Sequence, residues 1–370
     1  MKNSKVAALL GVAALALSAC GGGKAGESAS SKENATKGPA AKQIDYRACI
    51  VSDAGGWDDK SFNQSAKEGL DKAVHDLGVR PNTAESKSDN DFAPNVKSMV
   101  EAKCNLTIGV GFKLSEAVEN AAKSNPDKQF AIVDATFQNQ PENARALVFN
   151  THEAAYLAGY AAAANSKSGK VGTFGGIKLP TVTIFMDGFA DGVARYNKDH
   201  KKDVKVLGWN KETQEGQFTN TFDDQSKGTA VANQLIQQGA DVIMPVAGPV
   251  GLGAAAAAKN HAGTKIVGVD SDWYQSAPEY KDIVLTSVQK GIARAVYDTI
   301  KAGADGKFDK KPYVGTLKNG GVSLAPFHDF EGSLPAGLTG ELDAIKKEIV
   351  EGKTVVTSKS AFDAKGGSGK

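Results

Sequence analysis

From about residue 43 onward, the chain alternates short apolar runs with stretches of helical periodicity. Residues 61–77 form the clearest helical stretch, because apolar side chains recur on one face and Gly78 follows as a stop signal. This regular alternation predicts parallel sheets covered by helices on both faces, and the number of units predicts two similar α/β lobes. The runs predicted as buried strands are 48–52, 106–110, 130–133, 146–149, 171–174, 204–208, 242–246, 266–269 and 283–288.

The residues that follow these strands carry the candidate chemistry. Ligands of open parallel sheets bind beyond the carboxyl ends of the strands. Asp53, Asp134 and Asp270 each stand at such an end, and Gly248 and Gly251 follow another strand. A single Asp at this place most often caps a helix, but several at one face favour ligand binding. Glycines there allow backbone N–H groups to approach a neutral polar ligand closely.

Composition and motifs exclude several classes of function. The chain has 44 Lys and Arg against 42 Asp and Glu, a net charge of +2 that does not indicate a nucleic-acid partner. Three cysteines and five scattered histidines predict no metal, and we expect no other cofactor. The segment 248–253 lacks the Lys-Ser/Thr of a phosphate loop. No nucleophile elbow or metalloprotease motif is present, so we expect no enzyme.

The first residues have the pattern of a secretory signal peptide, predicted over 1–19. Lys2 and Lys5 precede an apolar run at 6–17, whose 12 residues fall short of the about 20 needed to span a bilayer. The sequence Leu-Ser-Ala-Cys at 17–20 resembles a bacterial lipobox, which implies lipidation of Cys20 and attachment to the extracytoplasmic face of the cell membrane. Residues 20–42 lack apolar periodicity and are predicted to form a flexible tether.

One segment carries a specific family resemblance. Residues 53–70, DAGGWDDKSFNQSAKEGL, resemble the signature of the basic membrane protein (BMP) lipoprotein family, which includes PnrA-like nucleoside-binding lipoproteins. The likeness continues at 109–112, 130–134, 187–192, 239–243 and 268–270. It implies a type I periplasmic-binding-protein fold and a monomeric receptor that delivers purine nucleosides to the permease of an ABC importer.

The resemblance also implies how the lobes are connected. Three chain crossings are expected, near Asn150, Trp273 and Lys318. The N-terminal lobe would then comprise 43–150 and 274–318, and the C-terminal lobe 151–273 and 319–370.

Individual ligand contacts are implied in the same way. Phe62 is similar to an aromatic residue that stacks on the purine, and Asn63 follows it in the same motif. The second stacking residue is implied to be Phe222, with Phe218 and Trp209 as alternatives. The other implied contacts are Asp53 and Asp270 to the ribose, Asp134 to the base edge, Lys290 to a sugar oxygen, and Gly248 and Gly251 through their backbone. Phe62 also lies on the apolar face of its helix, so a core role is the alternative.

Two rival functions remain open. A receptor for a pentose or hexose would also use carboxylates on hydroxyl groups and an aromatic ring on a sugar face. A sensory or adhesive lipoprotein would bind a ligand without serving a transporter.

Cys49 and Cys104 are predicted to form a disulfide. In a doubly wound strand order of 2-1-3, the strands beside these cysteines are parallel neighbours. Disulfides persist outside the cytosol. Two buried free thiols are the alternative.

Overall fold

The computed structural model of the chain describes residues 40–363. The predicted signal peptide, Cys20 and nearly all of the predicted tether lie outside these residues. The strands are β1 (Arg47–Ser52), β2 (Arg80–Glu85), β3 (Leu106–Val110), β4 (Gln129–Val133), β5 (Ala144–Phe149), β6 (Lys170–Gly175), β7 (Lys205–Leu207), β8 (Trp209–Asn210), β9 (Glu215–Gly216), β10 (Val242–Val246), β11 (Lys265–Asp270), β12 (Val284–Lys290), β13 (Tyr313–Gly315) and β14 (Val322–Leu324).

Helices connect most of the strands. They are α1 (Phe62–Leu77), α2 (Phe92–Glu101), α3 (Ser115–Ser124), α4 (His152–Asn165), α5 (Pro180–His200), α6 (Gln225–Gln237), α7 (Val250–Lys259), α8 (Trp273–Ser276), α9 (Ile292–Ala304) and α10 (Leu338–Val350). None of the helices within residues 40–363 is both long and apolar enough to cross a bilayer.

The strands form two six-stranded sheets with the same strand order. The first runs β2-β1-β3-β4-β5-β13 and the second β7-β6-β10-β11-β12-β14. Within these two sheets all neighbouring strands are parallel except β12 and β14, which are antiparallel. The short strands β8 and β9 form a separate antiparallel pair. The central strands β3 and β10 are buried along their whole length and are mostly apolar, as expected when helices cover both faces of a sheet. The predicted pair of doubly wound α/β lobes is confirmed.

One predicted crossing is wrong. The chain passes to the second sheet after β5, but it returns only after β12 rather than near Trp273. Residues 284–290 were expected in the N-terminal lobe, yet β12 pairs with β11 through Ile266↔Val284 and Val269↔Val288. Trp273 instead begins α8, where its indole donates to the carbonyl of Val269 in the same lobe. The other lobe boundaries stay a prediction.

The disulfide joins Cys49 and Cys104, the pair that the sequence predicts. Cys49 lies within β1, Cys104 lies just before β3, and the two strands are parallel neighbours. The strand β2, on the outer side of β1, has no counterpart among the predicted strands. Its residues, RPNTAE, alternate between partly buried and exposed positions, so an apolar run could not have revealed it.

The start of α1 is fixed by backbone hydrogen bonds to one carboxylate. Asp59 accepts from the N–H groups of Ser61, Asn63 and Gln64, at 3.0, 2.8 and 3.0 Å. This cap satisfies donors that the first helical turn leaves unpaired, and it holds Phe62 at the helix N-terminus.

Candidate functional site

The carboxyl ends of the strands in both sheets surround one cavity. Its atom-free space is about 940 Å³, counting the open mouth. Eight of the nine predicted ligand residues line it, four from each lobe: Asp53, Phe62, Asn63, Asp134, Phe222, Gly248, Asp270 and Lys290. The structure therefore brings together residues that are up to 237 positions apart, from Asp53 to Lys290.

The first lobe places Asp53 directly after β1. Asn63 donates from Nδ2 to Oδ1 of Asp53 over 3.2 Å. The backbone of Gly111, at φ 109°, packs against Oδ2 of Asp53, so a Cβ at position 111 would collide with that oxygen. Burial raises the pKa of Asp53 to about 7, and the nearby Asp59 carboxylate raises it as well, while the bond from Asn63 lowers it. Asp53 thus changes its charge near neutral pH.

A buried ion cluster connects the lobes. The Lys290 ammonium, at the end of β12, bonds to Asp134 of the first lobe and lies 3.3 Å from Oδ1 of Asp270 in its own lobe. Burial alone would lower the pKa of Lys290, but the two carboxylates outweigh it and raise that pKa. Asp134 and Asp270 adopt φ values of 59° and 68°, an uncommon backbone region that directs both side chains inward.

The carboxylates that follow the strands closely in sequence fall into two groups. Asp59 and Asp272 cap helices, since backbone N–H groups at the starts of α1 and α8 donate to them. Asp53, Asp134 and Asp270 instead bond to side chains; all three line the cavity, as the capping residue Asp59 also does. A polar strand end alone could not separate the two groups, because both occur in the same sequence context.

Aromatic rings from both lobes contribute to the cavity wall. Phe62 and Phe222 are partly buried, and Phe222 packs directly on the backbone of Gly176. The alternatives Phe218 and Trp209 are absent from the wall and pack against each other with ring centroids 6.0 Å apart. Among the residues that the structure describes, Phe222 is therefore the only one of the three predicted alternatives that lines the cavity.

Gly251 does not line the cavity. Its N–H donates to the carbonyl of Gly248 over 2.9 Å inside the first turn of α7. A Cβ at this position would collide with the indole of Trp273, so the glycine serves helix packing. Gly248, with φ 52°, is the residue of that turn at the wall, and a backbone contact from Gly251 to a ligand stays a prediction.

Sequence reasoning missed several wall residues. Phe185 of α5 is buried, and its ring centroid lies 5.0 Å from the Lys290 ammonium. Lys113 stands at the wall and bonds to Asp89 over 2.9 Å. A sequence signal was available for the wall residues at 177–182, which follow the end of β6 as the predicted residues follow the other strands, but not for Phe185 further along α5.

The lobes also touch beside the cavity. The Ser271 hydroxyl donates to the carbonyl of Lys60 over 2.9 Å. Ser61 donates to the carbonyl of Val269 over 3.3 Å and lies 3.2 Å from Oδ2 of Asp270. These bonds link the start of α1 in the first lobe to the end of β11 in the second, so the two lobes are in contact beside the cavity.

Comparison with known proteins places these features in a family. The family described as "ABC transporter substrate-binding protein PnrA-like" matches residues 47–334. The chain is 34% identical over 338 residues to the ABC transporter nucleoside-binding protein BmpA of Lactococcus lactis subsp. cremoris, covering 86% of this chain and 90% of that protein. It is 34% identical over 263 residues to basic membrane protein A of Borreliella burgdorferi, covering 70% and 72%.

Solved structures show the same architecture. An ABC transporter solute-binding protein from Aeropyrum pernix K1 superimposes with a TM-score of 0.72 at 26% identity, covering 84% of this chain and 94% of that one. The glucose-galactose binding protein GanP from Geobacillus stearothermophilus gives a TM-score of 0.56 at 15% identity, covering 78% and 100%, a likeness of fold alone. The predicted type I periplasmic-binding-protein fold is confirmed.

Proposed function

This chain belongs to the family of PnrA-like ABC transporter substrate-binding proteins, and from that premise we propose that its cavity captures purine nucleosides. A substrate-binding protein of this kind is not an enzyme and works outside the cytoplasm with the permease of its importer. The observation that carries the proposal is the pair Phe62 and Phe222, one aromatic ring from each lobe at the cavity that the other predicted contacts also line. Those contacts include the carboxylates of Asp53, Asp134 and Asp270 and the ammonium of Lys290.

The chemistry of a purine nucleoside suits these groups. Its base has two π faces, and aromatic rings on either side contribute about 1–3 kcal/mol per stacked base. Its ribose diol and ring N–H groups donate hydrogen bonds, which carboxylates accept, and a lysine donates to a sugar oxygen. Because Phe62 and Phe222 come from different lobes, a base between them would hold the lobes together.

We assign the ribose to Asp53 and Asp270, and the base edge to Asp134. The bond between Asp134 and Lys290 also fits a ribose role for Asp134, so this assignment is the one that mutagenesis must decide. Asn63 holds Asp53 in place, and Gly248 offers its backbone to the sugar. A nucleoside phosphate fits poorly, because its charge would meet three carboxylates.

Isothermal titration with guanosine, adenosine and inosine tests the proposal, with ribose alone as the matched control. We expect heat from the nucleosides and none from ribose. Heat from ribose equal to that from a nucleoside would establish the sugar receptor instead. Native mass spectrometry of the purified protein adds a direct check, since a carried-over nucleoside appears as a mass increment.

We also propose that ligand drives closure of the cleft, and that a lipid on Cys20 keeps the monomeric protein at the extracytoplasmic face of the cell membrane. Closure predicts a smaller radius of gyration in solution scattering with saturating nucleoside. For the lipid, labelled palmitate should enter the wild-type protein and not a Cys20→Ser variant. Label in both proteins would refute attachment at Cys20.

A further inference from the structure

Asp187 is a buried carboxylate outside the cavity, in the middle of α5. Three donors from two separate parts of the chain bond to it. The Trp209 indole and the Gln214 amide donate to Oδ1 over 3.0 and 2.9 Å, and the Ser358 hydroxyl donates to Oδ2 over 2.6 Å. A carboxylate without exposed surface needs such partners, because burying it unpaired would be costly.

The donors on Oδ1 belong to the segment that leads to the cavity wall. Trp209 lies in β8 and packs edge-on against Phe218. Phe218 in turn pairs with Gly175 in an isolated parallel β-bridge. The backbone N–H groups of the next two residues, Thr219 and Asn220, donate to the carbonyls of Gly175 and Gly176.

The next residues along this segment line the cavity. The cavity wall includes residues 220–223, and Phe222 is among them. A continuous chain of contacts therefore runs from Asp187 through the Trp209 ring to Phe222.

The donor on Oδ2 belongs to the C-terminal segment 356–362. Next to Ser358, the hydroxyl of Ser360 lies 2.8 Å from that of Thr183 on α5. Phe362 exchanges two hydrogen bonds with the side chain of Asn150, at the point where the chain leaves the first sheet. Asp187 thus ties this segment to α5, whose residues Val182 and Phe185 line the cavity.

We propose that Asp187 is a positioning residue, which holds the wall segment 217–223 and the C-terminal segment 356–362 against α5 and so sets ligand affinity without touching the ligand. The ligand part of this inference rests on the proposed function. The carboxylate is required, because an Asn side chain has one acceptor oxygen and would leave at least one of the three buried donors without a partner.

The test compares Asp187→Asn with the wild-type protein in two measurements. Without ligand, the backbone amide hydrogens of segment 217–223 should exchange with solvent faster in the variant than in the wild-type protein. Guanosine affinity, by isothermal titration, should fall about 5- to 150-fold, a range set by the cost of one unsatisfied buried donor.

A double-mutant cycle separates positioning from general stability. In a Phe222→Ala background, Asp187→Asn should cost less than about twofold in guanosine affinity, because the ring that it positions is gone. An equal loss in both backgrounds would overturn the inference and leave Asp187 a structural role only. Unchanged exchange in 217–223 together with unchanged affinity would overturn it as well.

Two milder variants keep the test valid if Asp187→Asn does not fold. Trp209→Phe removes only the indole donor and should loosen 217–223, whereas Ser358→Ala should loosen only 356–362. Loosening of neither segment would refute the inference. If wild-type protein binds no nucleoside, the proposed function fails, and exchange in 217–223 without ligand alone decides the role of Asp187.

Discussion

The two lobes share a strand order but build their halves of the cavity differently. In the first lobe, Asp53, Asp134 and Phe62 stand at the ends of β1 and β4 and at the start of α1. In the second lobe, Asp270 and Lys290 also stand at strand ends, but Phe222 lies in an irregular segment between β9 and α6. The half-site on regular elements is positioned by local geometry, whereas Phe222 depends on contacts made far from the cavity.

This difference shows how one topology can combine a half-site built on strand ends and a helix start with a half-site built partly on an irregular segment. Parallel strand ends fix the carboxylates with backbone hydrogen bonds that every such sheet provides. An irregular segment needs its own supports, here the Gly176 backbone beneath Phe222 and the hydrogen bonds around Asp187. Substitutions in the second lobe should therefore act on ligand affinity over a longer distance than substitutions in the first.

The largest effect is expected from Lys290→Met, which removes the charge that connects the half-sites. With the lobes closed, Asp134 and Asp270 would be left buried without a cation, at a cost of about 3–5 kcal/mol. Because the two carboxylates belong to different lobes, the protein can relieve this cost by opening. We expect guanosine affinity to fall about a hundredfold or more, and the radius of gyration to stay large with guanosine present.

Lys113→Met is the matched control for this prediction. Lys113 also lines the cavity, but it pairs with Asp89 of its own lobe and is partly exposed. We expect less than about a threefold loss of affinity, since exposed ion pairs contribute little. Equal losses for both lysines would contradict the bridging role of Lys290.

The disulfide should affect the first lobe alone. It closes a separation of 55 residues, and replacing both cysteines by alanine removes up to about 4 kcal/mol in the chain-entropy model. We expect chemical denaturation to show an earlier transition for the first lobe and an unchanged one for the second. Thiol titration of the denatured, unreduced protein should find neither Cys49 nor Cys104 free; two reactive thiols would contradict the disulfide.

Variants of the two aromatic residues allow a direct comparison of the two half-sites. Phe62→Ala and Phe222→Ala should each remove one stacking face, worth about 1–3 kcal/mol, or roughly five- to hundredfold in nucleoside affinity. Melting temperature is the second measurement, because the core role for Phe62 predicts about 3–5 kcal/mol of lost stability with affinity retained. Wild-type affinity in Phe62→Ala would refute stacking at that residue.

Asp134→Asn accompanies the aromatic variants as a control for the base edge. It should change the preference among adenosine, guanosine and inosine and leave stacking in place. A uniform loss for all three nucleosides would instead assign Asp134 to the ribose.

The smallest effect concerns Asp53 and pH. Its pKa is about 7 in the folded protein against an ordinary 3.8, so the folded state binds more protons between these values. The contribution of Asp53 to stability should therefore fall as pH rises from about 4 to about 7. Melting of ligand-free Asp53→Asn and wild type over this range should show a difference that grows with pH in favour of the variant; a constant difference would contradict it.

The sequence was most informative where one residue follows a buried strand. Asp53, Asp134 and Asp270 could be predicted in this way, since parallel strands bring their carboxyl ends to one edge. Phe185 could not, because helical periodicity does not separate a buried residue that faces a cavity from one in the core. Glycines are equally ambiguous: Gly248 lies at the wall and Gly251 packs under Trp273, three positions along the same turn.

The crossing expected near Trp273 failed for a different reason. The family resemblance implied three crossings, but their places depend on which sheet each apolar run joins. The run 283–288 would fit either sheet by its composition, and only its pairing with β11 decides. The sequence does not predict the polar strand β2, because its side chains alternate between partly buried and exposed positions and form no apolar run.

The outer edges of the sheets bear on how copies of this protein behave when crowded. A free strand edge invites a strand from another molecule, and proteins discourage this with short edge strands, prolines and charges. Here β7, β13 and β14 have only three residues each. The remaining edge, β2, is longer, but Pro81 lacks an N–H group and Arg80 and Glu85 are charged. Concentrated copies should therefore resist edge-to-edge aggregation.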